Sequence, residues 1–124
     1  MFDIDLQSRT PIYEQLYKRV VELTVKKQLR PGDKLPSVRE LAKSLGVNSN
    51  TVSKAFQDLE HDGIIYSLAG RGSFISDKNG DVIKQNAAET FTLAAKEAAA
   101  AGLTAEEMTD IIKEITQTGG NKID

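Results

Sequence analysis

Between Leu35 and Ile75 the chain reads LPSVRELAKSLGVNSNTVSKAFQDLEHDGIIYSLAGRGSFI. This segment places two start signals and two stop signals for helices within thirty residues. Ser37-Val38-Arg39-Glu40 has capping-box spacing, in which a serine hydroxyl takes an amide three residues on and the glutamate reaches back. A helix starting there carries an apolar stripe of Val38, Leu41, Ala42 and Leu45, and Gly46 stops it, since glycine enters the left-handed conformation that closes a helix. Val47 then plugs the corner, and Asn48 is a good N-cap for the next helix. That helix buries Val52, Ala55, Phe56 and Leu59, and it ends at Gly63. Ser49, Asn50, Ser53, Lys54 and Gln57 fall on its outward side. Ile64, Ile65, Tyr66 and Leu68, then Ser73, Phe74 and Ile75, flank Ala69-Gly70-Arg71-Gly72 and predict a short β-hairpin.

An earlier helix is expected from Pro11, with Thr10 as its cap, to about Gln28. Ile12, Leu16, Val20 and Leu23 recur there at helical spacing, and Tyr13 and Tyr17 widen the stripe. Arg30-Pro31-Gly32-Asp33 breaks the chain after it. The polar stretch Asp77-Lys78-Asn79-Gly80-Asp81 divides a domain at 1–76 from a segment at 77–124. In that segment an alanine-rich helix from Val82 to Ala101 carries Ala87, Phe91, Ala94, Ala95 and Ala98. Gly102 ends it, and Thr104-Ala105-Glu106-Glu107 opens a last helix with Met108, Ile111, Ile112 and Ile115 on one side. Thr118 to Lys122 reads as a frayed tail. Two helices cannot bury a core alone, so their apolar faces are expected either to pair with a second copy or to fold back on the first domain. Dimerisation is the simpler expectation.

Two short helices joined at a glycine corner and followed by a glycine-tipped hairpin have the layout of a winged helix-turn-helix. The fold class is therefore mainly α with a small β-hairpin, a winged helix-turn-helix followed by a two-helix C-terminal extension. A helix presented in this way fits a DNA major groove. Its N-terminus brings free amides and a positive dipole end toward phosphate, and Asn48, Ser49, Asn50, Thr51 and Ser53 add short polar side chains there. Asparagine can pair with adenine through two hydrogen bonds. Asn50 and Lys54 lie one turn apart on the outward face. The competing view is that Asn48 only caps the helix and that the row is solvated. Arg39 can reach DNA at the groove edge or pair with Glu40 or Asp62. Arg71, beside Gly70 at the hairpin tip, can enter a minor groove or mark a solvated turn.

Charge refines this picture. The net charge is −2, an unpromising total for a binder of phosphate. Residues 1–76, however, carry 11 Lys and Arg against 9 acids, and residues 77–124 carry 5 against 9. The positive surplus lies with the helix-turn-helix but is small, so particular cations must do the binding. There is no cysteine and one histidine, which removes thiolate metal sites, disulfides, cysteine nucleophiles and histidine clusters. His61 suits the dipole at the end of its helix, and Glu106, Glu107 and Asp110 complement the start of the last one. With no phosphate loop or paired-carboxylate cleft, neither catalysis nor a cofactor nor a metal is expected. With no membrane span or secretory signal, the expected location is cytoplasmic.

GDKLPSVRELAKSLGVNSNTVSKAFQDLEHDGIIYSLAGRGSFI closely resembles the DNA-binding domain of GntR-family bacterial transcription regulators, over about residues 10–76. The tail is similar to the two-helix dimerisation segment of the small YtrA-type subfamily. The resemblance implies DNA contacts from Arg39, from Asn48 to Ser53 and from Gly70 and Arg71. It also implies a homodimeric repressor of a transporter-type operon, acting on a palindromic duplex operator. Many family members place arginines where Ser49 and Ser53 stand, so base reading is expected to shift to Asn50 and Lys54. Larger members add an effector domain; with 48 residues after position 76, an effector would have to bind at the dimer interface or between the modules. Its identity is not readable. The alternative is a winged-helix module for protein contact or for shape-based nucleic-acid binding.

Overall fold

A computed structural model describes residues 1–117 in full and carries the last helix beyond them; the tail expected from Thr118 to Lys122 lies outside the described residues. The elements run α1 (Ile12–Val25), α2 (Val38–Leu45), α3 (Ser49–His61), β1 (Ile65–Leu68), β2 (Gly72–Ile75), α4 (Asn79–Ala100) and α5 (Ala105–Ile123). By contact the chain divides into two units, Met1–Ile83 and Lys84 onward, and α4 runs from the first into the second.

α1 departs from expectation at both ends. Pro11 itself occupies the N-cap position, with no side-chain cap, and its carbonyl accepts the amides of Glu14 and Gln15. Thr10 is displaced from capping because its carbonyl is held by the Gln15 side chain, 2.8 Å away. The same amide group clamps Asp5 through two further bonds of 2.7 and 3.0 Å, tying the N-terminal arm to the helix. At the other end α1 stops at Val25, because Lys27 turns left-handed at φ 63. The amides of Lys27 and Gln28 return to the carbonyls of Thr24 and Leu23. This closing motif usually uses glycine; here it reverses the chain so that Leu29 is buried. On the exposed side of α1, Glu22 accepts from Lys26 at 2.8 Å and Arg19 at 3.1 Å. The Lys26 bond foremost holds its carboxyl below the usual range.

The Ser37–Glu40 capping box forms as expected, and Gly46 closes α2 at φ 70. The amides of Gly46 and Val47 return to Lys43 and Ala42. Asn48 caps α3, and Gly63 closes that helix at φ 78. β1 and β2 pair antiparallel with Ile65 opposite Ile75 and Leu68 opposite Gly72. The sheet holds more than the hairpin. The segment after the Pro31 turn pairs with the free edge of β2, with Lys34 opposite Phe74, a feature that so short a run does not reveal by its pattern.

The first unit holds one core. Leu16, Val20 and Leu23 of α1 meet Leu41 and Ala42 of α2, Val52, Ala55, Phe56 and Leu59 of α3, and Ile64, Ile65 and Ile75 of the hairpin, closed by Leu29 and Leu35. Each buried Leu or Ile contributes about 1.5–3 kcal/mol relative to exposure. α4 begins at Asn79, inside the polar stretch expected to be a break, and its first turn adds Val82 and Ile83 to this core. Asn79 is buried there, and its side-chain Nδ2 has no hydrogen-bond partner among the described residues.

In the second unit Gly102 ends α4 at φ 105, and Thr104 and Glu107 form the expected capping box for α5. None of its described residues is buried. Phe91 and Leu93 of α4 and Ile111, Ile112 and Ile115 of α5 are exposed.

Candidate nucleic-acid interface

The core fixes α3 through one stripe of its surface, Val52, Ala55, Phe56 and Leu59, each at most 7% exposed. Positions turned about 180° from that stripe must face outward, which at 100° per residue selects Asn50, Lys54, Gln57 and His61. Gln57 is exposed and is long enough to pair with adenine in the same two-bonded way as asparagine. Its spacing marks it as outward, but only the arrangement of its neighbours makes it a candidate contact.

At the start of α3, the Asn48 side-chain oxygen accepts the Asn50 amide at 2.8 Å. Asn48 therefore caps the helix with its oxygen and keeps its exposed amide nitrogen for another acceptor. Ser49 and Asn50 are exposed, whereas Thr51 and Ser53 are half-buried on the flanks. The first turn thus presents Asn48, Ser49 and Asn50 together with free backbone amides, a surface suited to phosphate and base edges.

Lys54 behaves differently from the expectation. Its ammonium donates to Asp58 at 3.1 Å and stands 5.5 Å from the centre of the Tyr13 ring. Asp58 lies one turn further along α3, and Tyr13 belongs to α1. Below it, Tyr13, Glu14, Tyr17, Asp58, His61 and Asp62 line an open cleft of about 330 Å³, in which the Tyr17 hydroxyl bonds to Asp62. Three carboxylates on this flank repel phosphate, so the favourable face lies toward the N-terminal half of α3.

Arg39 is exposed on α2, and neither alternative partner takes it. Glu40 is turned to the Ser37 amide at 3.4 Å, and Asp62 is engaged by Tyr17 and His61. At the hairpin tip, the Arg71 amide donates to the Leu68 carbonyl at 2.9 Å, and Gly70 takes φ 75 between them. Positive φ at the third residue of the turn, as in the type II form, favours glycine there. The turn holds Arg71 exposed at the extremity of the wing. Cross-strand support comes from the Ser67 and Ser73 hydroxyls, 3.1 Å apart, and from the stacked rings of Tyr66 and Phe74.

Among the described residues no group of three or more acidic or histidine side chains is placed to hold a metal ion. No described helix is long and apolar enough to cross a membrane.

A helix-turn-helix with an exposed polar N-terminal turn, an arginine on the preceding helix and another on a hairpin has the layout of a winged-helix DNA-binding transcription regulator. Residues 12–75 match the family described as bacterial regulatory proteins, gntR family, and the chain belongs to that family. It is 43% identical over 130 residues to the HTH-type transcriptional repressor YtrA of Bacillus subtilis (strain 168), covering all of both chains. The same likeness supports the YtrA-type resemblance of the tail. Among solved structures, a transcriptional antiterminator from Listeria monocytogenes EGD-e is 34% identical with a TM-score of 0.74, covering 95% of this chain and 91% of that one. AraR(DBD) in complex with operator ORE1 is 28% identical with a TM-score of 0.52, covering 60% of this chain and 90% of that one.

Proposed function

We propose that this chain is a homodimeric repressor that binds a palindromic operator, with the start of α3 in the major groove and the wing tip in the adjacent minor groove. The observation that carries this is that the α3 first turn, Arg39 and Arg71 are all exposed, with no carboxylate partner taken up by either arginine among the described residues. Asn48, Ser49 and Asn50 read bases or phosphate, with Thr51 and Ser53 at the flanks. Arg39 and Arg71 bracket the site, and Gly70 shapes the tip. Gln57 extends the reading row by two turns, whereas Lys54 contributes less than its spacing implies.

The domain at 1–76 binds DNA, and the segment at 77–124 pairs two copies through the exposed apolar faces of α4 and α5. Two-fold pairing would match the symmetry of a palindromic site. The likeness to the transcriptional repressor YtrA supports repression; a transporter-type operon as the target, and the cytoplasm as the location, follow from the YtrA-type resemblance of the sequence. Electrophoretic mobility shift at moderate salt, with fragments from upstream of its own coding sequence against random duplex, tests the proposal. The expected result is a preference of at least about 10³-fold for one fragment. Equal binding to every duplex would instead favour a module for protein contact or shape recognition.

A further inference from the structure

The wing carries a second cation that its sequence position conceals. Lys34 lies outside the hairpin, just after the Pro31 turn, but the sheet brings it onto the hairpin's edge. The amide of Leu35 donates to the Ser73 carbonyl and that of Ile75 to the Asp33 carbonyl, both at 2.9 Å, and the Gly32 amide donates to the Ile75 carbonyl at 2.8 Å. These bonds fix the backbone on both sides of Lys34 and place it opposite Phe74. Its own side chain is exposed, and no carboxylate among the described residues pairs with it.

The end of its side chain lies against Gly72. A Cβ at Gly72 would lie 3.0 Å from Lys34 Cε and 3.8 Å from Nζ. The first distance is below ordinary carbon contact, so a side chain at Gly72 would push the end of the lysine aside by a few tenths of an ångström. Gly72 also has φ +113, a conformation that is strained for other residues. The bare backbone at Gly72 is thus a notch through which Lys34 reaches the strand beginning immediately after Arg71. A lysine in such a place is a compact charge on a flexible stem, suited to a phosphate rather than to a base edge.

We propose that Lys34 is a backbone-phosphate contact of the wing, acting beside Arg71, and that Gly72 is the notch that admits it. This rests on the DNA-reading function proposed above. The two are separable by titrating Lys34→Gln, Lys34→Arg and Arg71→Ala against a duplex from upstream of the protein's own coding sequence and against a random duplex, from 50 to 200 mM NaCl. Lys34→Gln is expected to weaken binding to both duplexes alike, by about 5- to 10-fold per protomer. It is also expected to flatten the salt dependence by about 0.9 in log–log slope for each protomer bound. Lys34→Arg is expected to restore the slope, as a merely structural lysine would not require. Unchanged affinity and slope for Lys34→Gln overturn the assignment. If Arg71→Ala still weakens binding in that case, the wider function stands; if it too is silent, that function fails as well. Thermal melting by circular dichroism separates loss of binding from loss of fold.

Discussion

Single side chains divide the outward row of α3 into those offered to a groove and those already used. Asn50 is exposed, its backbone amide donates to Asn48, and its side chain forms no hydrogen bond among the described residues, so its amide is available for an adenine edge. Asn50→Ala is expected to cost about 1–3 kcal/mol against the operator and much less against random duplex, as fluorescence anisotropy titration would show. Lys54 sits one turn away, but Asp58 and the Tyr13 ring share its charge. An exposed pair of this kind stabilises by only about 0–1 kcal/mol, yet it engages the ammonium. Lys54→Met is therefore expected to weaken operator binding by less than Asn50→Ala, in the same titration, and an equal or larger loss would show that DNA draws Lys54 off Asp58. Spacing alone equates Asn50 and Lys54, because periodicity reports the angle of a Cβ but not the partners within reach of a long side chain.

Helices and strands of the first unit depend on their ends as much as on their faces. Gly46 joins α2 to α3 at φ 70 with nothing within 4 Å of an added Cβ. Gly46→Ala thus meets no clash, and its cost is the left-handed backbone alone, about 1–2 kcal/mol. A lower urea midpoint with an unchanged m-value is the expected result. Capping signals made the starts of α2, α3 and α5 readable because each uses a bond spanning only two or three residues. The stop of α1 was not readable in the same way. Lys27 takes the left-handed conformation without being glycine, because the burial of Leu29 beyond it compensates for the strain. The start of α4 was obscured for a similar reason. Asn79-Gly80-Asp81 has the composition of a turn, but Val82 and Ile83 gain burial against the core only if the helix already exists there.

Across the whole molecule the contrast is between a unit with a closed core and one without any described buried residue. Phe91, Leu93, Ile111, Ile112 and Ile115 expose apolar surface that would be covered in a pair of chains, and association should therefore hinge on them. Ile112→Asp is expected to shift the protein from dimer to monomer in sedimentation velocity and to weaken operator binding at nanomolar protein, while the melting of the first unit is little changed. A variant that sediments and binds like the wild type would sink the assignment of this face to dimerisation. The local chemistry of the chain was enough to establish the helix order, the glycine corner and the hairpin, because caps, turns and apolar periodicity act over a few residues. Long-range pairing was required to attach Lys34 to the edge of β2, to bring the Tyr13 ring against Lys54, and to draw the first turn of α4 into the core. Those outcomes depend on which surfaces meet when distant segments compete for burial and for backbone partners, and no short stretch of sequence contains that competition.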